Sequence, residues 1–271
     1  MAANYTKEIR ETAEGLRLID DTLFRLVAED IPACQEILRE LLDDDNIEVI
    51  KATPQRRLGG LNRTIIVDLL CKTSEGHYIN VEVQTGDRHD DFRRTRLHAS
   101  IITSQETPTD TEFAEVPDVT ILYITEYDAA KLNLPVAVEH HYIKAGDRMV
   151  EVPDGETIVY ATTAVDDGSS HSKLLQLFLR KDAFVDDNYP AISKRISYFK
   201  GTKEGRDYMC QAVEELGKKM AEAEKQETLV QSIKNLMKNL RMTIEEAMDA
   251  LSIPSDQRDI YTNLVNAKAS R

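Results

Sequence analysis

Residues 63–84, RTIIVDLLCKTSEGHYINVEVQ, restrict the fold of this chain more than any other stretch. Their β-branched and aliphatic side chains predict two strands joined by a polar turn at Glu75 and Gly76. Successive side chains of a strand point to opposite faces, so each strand has two defined sets of residues. On the first strand one face is expected to carry Thr64, Ile66, Asp68 and Leu70. On the second strand one face is expected to carry Tyr78, Asn80, Glu82 and Gln84.

Acidic side chains interrupt these otherwise apolar strands. Asp68 lies inside the run IIVDLL, and the second strand closes on Glu82 and Gln84. Burying a carboxylate among aliphatic side chains costs several kcal/mol unless it is paired or binds a cation. The pattern therefore predicts a functional site formed by these two strands.

The composition is that of one large globular domain, alone or with a small appendix. Of 271 residues, 41% are hydrophobic and 30% are charged, and no apolar run approaches the ~18–20 residues of a membrane span. The first residues lack the apolar segment of a signal peptide, and the three cysteines form no CxxC pair. We therefore expect a cytoplasmic protein with no membrane partner, no disulfide framework and no zinc cluster.

The charge is unevenly distributed along the chain. The net charge is −14, yet residues 51–104 hold 9 Lys and Arg against 6 Asp and Glu, a local charge of +3. Residues 1–50 carry −8 and residues 105–271 carry −9. The basic segment contains both predicted strands, which favours a local phosphate-facing patch on a chain that otherwise repels polyanions.

Periodicity and capping residues predict the remaining elements. A helix is expected from Pro32 to Leu42, followed by a strand at residues 47–50 and a basic loop at residues 52–63. Further strands are expected at residues 119–124, 138–144 and 156–163. Further helices are expected at residues 90–104, 172–180, 191–199 and 203–240. Two short helices, opening at Thr243 and near Ser252 and Pro254, are favoured as a docking or oligomerisation module because their acidic balance disfavours base reading.

This order of elements resembles the PD-(D/E)xK nuclease superfamily, which has the restriction-endonuclease-like α/β fold. More closely, it resembles the PD-(D/E)xK nuclease family transposases, which are related to recombination-promoting nucleases. The resemblance rests on LRLIDDTLFRLVAED near the start, IIVDLL, YINVEVQ and the arginine-rich helix that follows. It extends to DVTILYITEYD, SKLLQLFLRKD and the tail TIEEAMDALSIP, and so covers nearly the whole chain.

The resemblance implies a nuclease-like domain over residues 1–200 and a helical tail over residues 201–271. Two carboxylates that hold Mg²⁺ (or Mn²⁺) suit phosphodiester hydrolysis, and we expect Asp68 and Glu82 to be these ligands, joined in the family pattern by the carbonyl of Val83. Gln84 stands where the superfamily has Lys; it can orient water but cannot neutralise charge. The accessory acids implied by the family are Glu40, with Glu36 behind it, and Asp21. The expected DNA-binding residues are Arg63, Arg93, Arg94 and Arg96.

The expected function is metal-dependent endonucleolytic cleavage of DNA, linked to recombination of mobile elements. One alternative is a catalytically inactive nuclease fold that serves as a DNA-binding or protein-interaction module. Another is a scaffold that forms a homo-oligomer through residues 203–240. The arginines have their own alternative, which is ion pairing with Asp87, Asp90 and Asp91.

Overall fold

The computed structural model describes residues 5–59, 64–86 and 90–267. Contacts between elements divide the chain into two compact units, Met1–Cys210 and Gln211–Arg271. The division lies inside the longest helix, after the boundary at residue 200 that the sequence predicts. Each unit has a buried apolar cluster of its own.

The first unit contains both helices and strands. Its helices are α1 (Lys7–Gly15), α2 (Asp21–Ala28), α3 (Ile31–Leu41), α4 (Asp91–Glu106), α5 (Ser170–Leu177) and α6 (Pro190–Gly201). Its strands are β1 (Val49–Gly59), β2 (Thr64–Thr73), β3 (Tyr78–Gln84), β4 (Val119–Thr125), β5 (Val136–Glu139), β6 (Tyr142–Ala145), β7 (Arg148–Glu151) and β8 (Glu156–Thr162). The long helix α7 (Lys203–Leu240) begins in this unit. Within the described ranges, no helix is both long and apolar enough to cross a membrane.

Six strands form one mixed sheet in the order β1-β2-β3-β4-β8-β5, and β6 pairs with β7 in a separate ribbon. The central strands β3, β4 and β8 run parallel to one another. The pairs β1–β2, β2–β3 and β5–β8 are antiparallel. The predicted α/β class, with a mixed sheet, flanking helices and a long C-terminal helix, is confirmed.

Both faces of the central strands are buried. Ile121 and Tyr123 of β4 pack in a core cluster with Ala99 of α4. Leu122 and Ile124 alternate with them, so they point to the opposite face, and they are fully buried as well. Burial on both faces explains why β4 shows no alternation of polar and apolar residues. It also holds α4 against the sheet directly after the end of β3.

The basic loop predicted for residues 52–63 is wrong over the part that the structure describes. These residues continue β1 as far as Gly59, in antiparallel register with β2. As an edge strand of the sheet, β1 has one side without a strand partner, so it tolerates polar residues and Pro54. Local composition indicates a loop here, whereas pairing with β2 makes the segment a strand.

The strict alternation predicted for β2 is also interrupted. Leu70 packs in the same core cluster as Ile65 and Val67, although alternation places it on the other face. The change occurs beside Asp68, opposite Gln55 of β1, whose φ is +50°. A left-handed residue breaks the regular pleat of a strand pair, much as a β-bulge does. The irregularity therefore lies at the acid that the sequence singles out.

Other boundaries differ less. The strand predicted at residues 138–144 is two strands, β5 and β6, which are separated at His140 and His141. The helix predicted at residues 90–104 is α4, and the strands predicted at residues 119–124 and 156–163 are β4 and β8. The polar turn between β2 and β3 contains Gly76 with a φ of +91°, a conformation that suits glycine.

The second unit packs the end of α7 with α8 (Ile244–Ala250) and α9 (Arg258–Ala267). The predicted capping box is present, because Thr243 and Glu246 each bond the backbone of the other. A short 3₁₀ turn at Ser255–Gln257 occupies the predicted start of the last helix. Val230 and Ile233, predicted for an oligomer seam, are buried in this unit's own core. Self-association through residues 203–240 stays a prediction.

Candidate active site

The candidate site lies where β2 and β3 stop pairing through their backbones. The paired register runs from Lys72↔Tyr78 to Leu69↔Val81, and the next residues are Asp68 and Glu82. There the side chains exchange hydrogen bonds with the opposite strand instead. The Asp68 N–H donates to Oε1 of Glu82 at 3.2 Å, and the Val83 N–H donates to Oδ2 of Asp68 at 3.0 Å. The structure therefore brings Asp68 and Glu82 together. Val83 contacts Asp68 through its N–H, and the role predicted for its carbonyl stays a prediction.

Glu82 is 1% exposed, and polar groups from β2, β3 and α4 surround its carboxylate. Asn80 donates from Nδ2 to Oε1 at 3.1 Å. From α4, Arg94 places Nη2 at 3.5 Å from Oε2, and His98 places Nδ1 at 3.4 Å from Oε1. Residues four apart lie on one face of a helix, which is why Arg94 and His98 both reach the same carboxylate. This buried acid is thus held in place and partly neutralised.

The surroundings of Asp68 disfavour the ionised form of its carboxyl. Burial raises the pKa of its carboxyl to about 8, and the negative charges of Glu82 and Asp21 act in the same direction. The hydrogen bond from the Val83 N–H and the charge of Arg94 oppose this shift. Burial is the main cause of the raised pKa, and the two neighbouring acids add to it.

Asp21, at the start of α2, is the third acid of this group. Burial raises the pKa of its carboxyl, the charge of Arg25 opposes the rise, and the charge of Glu82 adds to it. Gln55 of β1 donates from Nε2 to Oδ1 of Asp21 at 3.1 Å. The accessory acid implied by the family branch therefore lies beside the two strand acids.

Glu40, the other accessory candidate, is placed elsewhere, which corrects that expectation. It lines a separate cavity of about 420 Å³ with Lys173 and Tyr189. Burial and the nearby charge of Glu40 raise the pKa of Tyr189. Glu36, one turn earlier on α3, accepts from two N–H groups at the start of α6, at 2.8 and 2.9 Å. Both acids of α3 therefore serve the packing of α3 against its helical neighbours.

Gln84 is half-buried at the end of β3, two residues beyond Glu82 and on the same face by alternation. Its Nε2 donates to the carbonyl oxygen of Gly86 at 2.9 Å. In this arrangement the amide nitrogen is bonded to the backbone two residues further along the chain. Its carbonyl oxygen is left as the group with which Gln84 can orient a water near the acids.

A groove of about 640 Å³ lies between the start of β2 and the first turns of α4. Arg93 and Arg96 are exposed along it, and Arg94 is half-buried beside Glu82. Arg63 and Asp87 lie outside the described residues. Asp91, one of the acids expected to pair with the arginines, accepts the hydroxyls of Tyr123 and Tyr127, each at 2.8 Å. The remaining lining residues are Thr64, Ile65, Ile66, Asp90, Leu97 and His98.

Sequence reasoning missed two contributors to the site, Asn80 and His98. Asn80 lies two residues before Glu82 on the same strand face, and His98 lies one helical turn after Arg94. Those spacings were visible in the sequence, but nothing local showed that α4 packs against β3. Oδ1 of Asn80 and Nδ1 of His98 are buried and make no hydrogen bond with any residue the structure describes.

The oxygen donors fit a hard cation held by few protein ligands. Asp68 and Glu82 offer carboxylate oxygens, which are ligands that hard cations prefer. Across the described ranges, no group of three His, Cys, Asp or Glu side chains is arranged to hold a metal. Carboxylate oxygens are ligands that Mg²⁺ accepts while it keeps several waters.

Comparison with protein-family models, with curated proteins and with solved structures gives no match. The proposed activity therefore rests on the chemistry of the site and on the resemblance described for the sequence.

Proposed function

We propose that this protein cleaves phosphodiester bonds of DNA in a reaction that depends on Mg²⁺ or Mn²⁺. The observation that carries the proposal is the contact between half-buried Asp68 and buried Glu82, beside Arg94 and His98, which line the groove. Neighbouring carboxylates favour a cation, and adjacent arginines favour a phosphate. DNA as the substrate, an endonucleolytic cut and a link to mobile-element recombination rest on the sequence resemblance.

Different residues have different roles in the proposed reaction. Asp68 and Glu82 would hold the cation, and the backbone bonds from the opposite strands fix where their oxygens lie. The chemistry that a divalent cation would supply there is polarisation of the phosphate and activation of the attacking water. Gln84 would orient the attacking water through its side-chain oxygen.

The arginines of α4 have different roles in this proposal. Arg93 and Arg96 are exposed, so they bind the backbone phosphates that flank the cleaved bond. Arg94 contacts Glu82, with Nη2 3.5 Å from Oε2. It supplies part of the positive charge that the Lys of the superfamily pattern would have supplied.

The alternative is a module that binds DNA without cutting it. The hydrogen bond from Gln84 to Gly86 favours this alternative, because it engages the amide nitrogen with the protein's own backbone. Arg94 and His98 already flank Glu82, so the site holds together without a cation. Binding that survives when cleavage is absent would identify this module.

Nicking of supercoiled plasmid separates the two functions. We expect the parent protein to nick plasmid in the presence of Mg²⁺ or Mn²⁺, and we expect EDTA to abolish nicking. Asp68→Asn and Glu82→Gln should each reduce the rate at least about 100-fold, the scale of losing a group that acts in the transition state. Glu40→Gln is the matched control, because it removes an equivalent charge in a separate cavity. Equal rates for Asp68→Asn and Glu40→Gln would refute the proposal.

A further inference from the structure

A second cavity, of about 440 Å³, opens at the other end of the same sheet. It lies where β3, β4 and β8 begin, and Ile79, Thr120 and Thr157 face into it. Ile79 alternates with Asn80, so the cavity is on the sheet face opposite Glu82. It is therefore separate from the candidate active site in both position and face. Its volume lies within the range of small-molecule pockets, about 300–1,000 Å³.

The floor of this cavity is apolar. Ile79 and Val159 are nearly fully buried, with exposures of 4% and 2%. Val136 and Val138 of the edge strand β5 form one wall, and Val138 is 56% exposed. An aliphatic edge-strand residue left exposed beside a concave apolar floor offers a surface on which a ligand could bury apolar area.

The rim of this cavity is acidic. It carries the carboxylates of Asp43, Asp44, Glu48 and Glu75, and none of the described lining residues is Lys or Arg.

Several groups of the rim already have partners. Asp43 contacts His171 at 2.9 Å, and Asp44 accepts the N–H of Asn46 at 2.9 Å. Nδ1 of His77 lies 3.7 Å from Glu75. Nδ1 of His140, also in the lining, lies 3.6 Å from Glu151. Glu48 makes no side-chain hydrogen bond or ion pair within the described residues, so its carboxylate is the one most available to a ligand.

We infer that this cavity binds a small organic cation, an aliphatic amine whose hydrocarbon chain lies on the valine and isoleucine floor and whose ammonium faces the acidic rim. The floor supplies the affinity, since burial of each CH₂ contributes about 0.8 kcal/mol. The rim supplies the selectivity for positive charge, since exposed carboxylates attract a cation only weakly one by one but act together here. This inference is independent of the proposed nuclease activity.

Three ligands of matched length test the inference, namely hexylammonium, 1-hexanol and hexanoate. Each is titrated into the full-length protein while the backbone amide NMR shifts are followed. Hexylammonium should give saturable shifts confined to residues around the cavity, such as Ile79, Thr120 and Thr157. Hexanol should bind about tenfold more weakly, and hexanoate should not bind. Equal affinities for hexylammonium and hexanol, or shifts that never saturate, would overturn the inference.

Variants locate the site. Glu48→Gln combined with Glu75→Gln should weaken hexylammonium at least about threefold while leaving hexanol unchanged. Val138→Lys should abolish binding of hexylammonium, because the new ammonium competes for the same rim. Ile50→Lys is the control, since Ile50 is 54% exposed on the other edge strand, β1, and does not line the cavity. Loss of binding in Ile50→Lys, or retention in Val138→Lys, would contradict the assignment.

Discussion

Asp68 shows how one residue can link stability to function. Its ordinary pKa is about 3.9, whereas burial with Glu82 and Asp21 nearby raises it to about 8 in the folded protein. Between these two pH values the folded state binds a proton that the unfolded chain has released. The free energy of unfolding therefore falls as the pH rises from about 4 to about 8.

This behaviour gives a prediction for the metal-free protein. We expect Asp68→Asn to lose less stability than the parent between pH 5 and pH 8, because the amide does not titrate. The difference should be about 1–3 kcal/mol, less than the pKa shift alone implies, because water partly screens the site. Urea denaturation in EDTA at pH 5, 6.5 and 8 measures it. Parallel pH profiles for the two proteins would show that Asp68 is already ionised near its ordinary pKa.

At the scale of elements, the position of α4 decides what reaches Glu82. Its first turn is tied to β4, because Asp91 accepts the hydroxyl of Tyr123 at 2.8 Å. Tyr123 is the register partner of Glu82 across the parallel pair β3–β4. Burial and these hydrogen bonds raise the pKa of Tyr123, so its hydroxyl remains a donor. The same contact therefore sets the height of Arg94 and His98 above the sheet.

Removing the Tyr123 hydroxyl tests whether its hydrogen bond to Asp91 anchors α4. Tyr123→Phe keeps the buried ring but leaves a buried carboxylate with one hydroxyl fewer, so we expect a loss of about 1.5–3 kcal/mol in unfolding free energy. Tyr142→Phe is the control, because the hydroxyl of Tyr142 lies 3.4 Å from Glu151 on an exposed ribbon and should contribute less than about 0.5 kcal/mol. Urea denaturation compares the two, and equal losses would mean that Asp91 does not anchor α4.

The elements also show what local sequence can and cannot indicate. Alternation and the acid in IIVDLL predicted β2, β3 and the meeting of Asp68 with Glu82, since all of these depend on neighbouring strands. The extension of β1 depends on pairing with β2, and the placement of Glu40 depends on how α3 packs against other helices.

Contacts between residues far apart in the sequence likewise could not be predicted from local sequence patterns. Cys34 and Cys71 are 37 positions apart, yet their sulfurs lie 3.3 Å from each other as buried free thiols. His98 likewise meets Glu82 only because α4 folds back over β3. Such contacts are set by tertiary packing, which local periodicity does not encode.

At the scale of the whole molecule, a net charge of −14 opposes binding to DNA. Any DNA must therefore be attracted locally, by the arginines of the groove beside the acids. Each arginine that neutralises a phosphate releases counterions, so binding should weaken steeply with salt.

The groove makes a quantitative prediction about that salt dependence. In EDTA, Arg93→Ala and Arg96→Ala should each reduce the slope of log K against log[salt] for duplex DNA by about 1. Arg148→Ala is the control, because Arg148 is exposed on the ribbon strand β7 and outside the groove, so its slope should match the parent. Fluorescence anisotropy between 50 and 200 mM salt, the range over which such losses are large, provides the measurement. An unchanged slope in Arg93→Ala and Arg96→Ala would remove the groove from DNA binding.

The central claim is that Asp68 and Glu82 together hold a divalent cation. Its most direct test is Mn²⁺ binding, read from the loss of the free-ion signal in electron paramagnetic resonance as protein is added. We predict that the parent and Glu40→Gln bind Mn²⁺ alike, while Asp68→Asn and Glu82→Gln each weaken binding at least about tenfold. Undiminished Mn²⁺ binding in both Asp68→Asn and Glu82→Gln would contradict the assignment of this site.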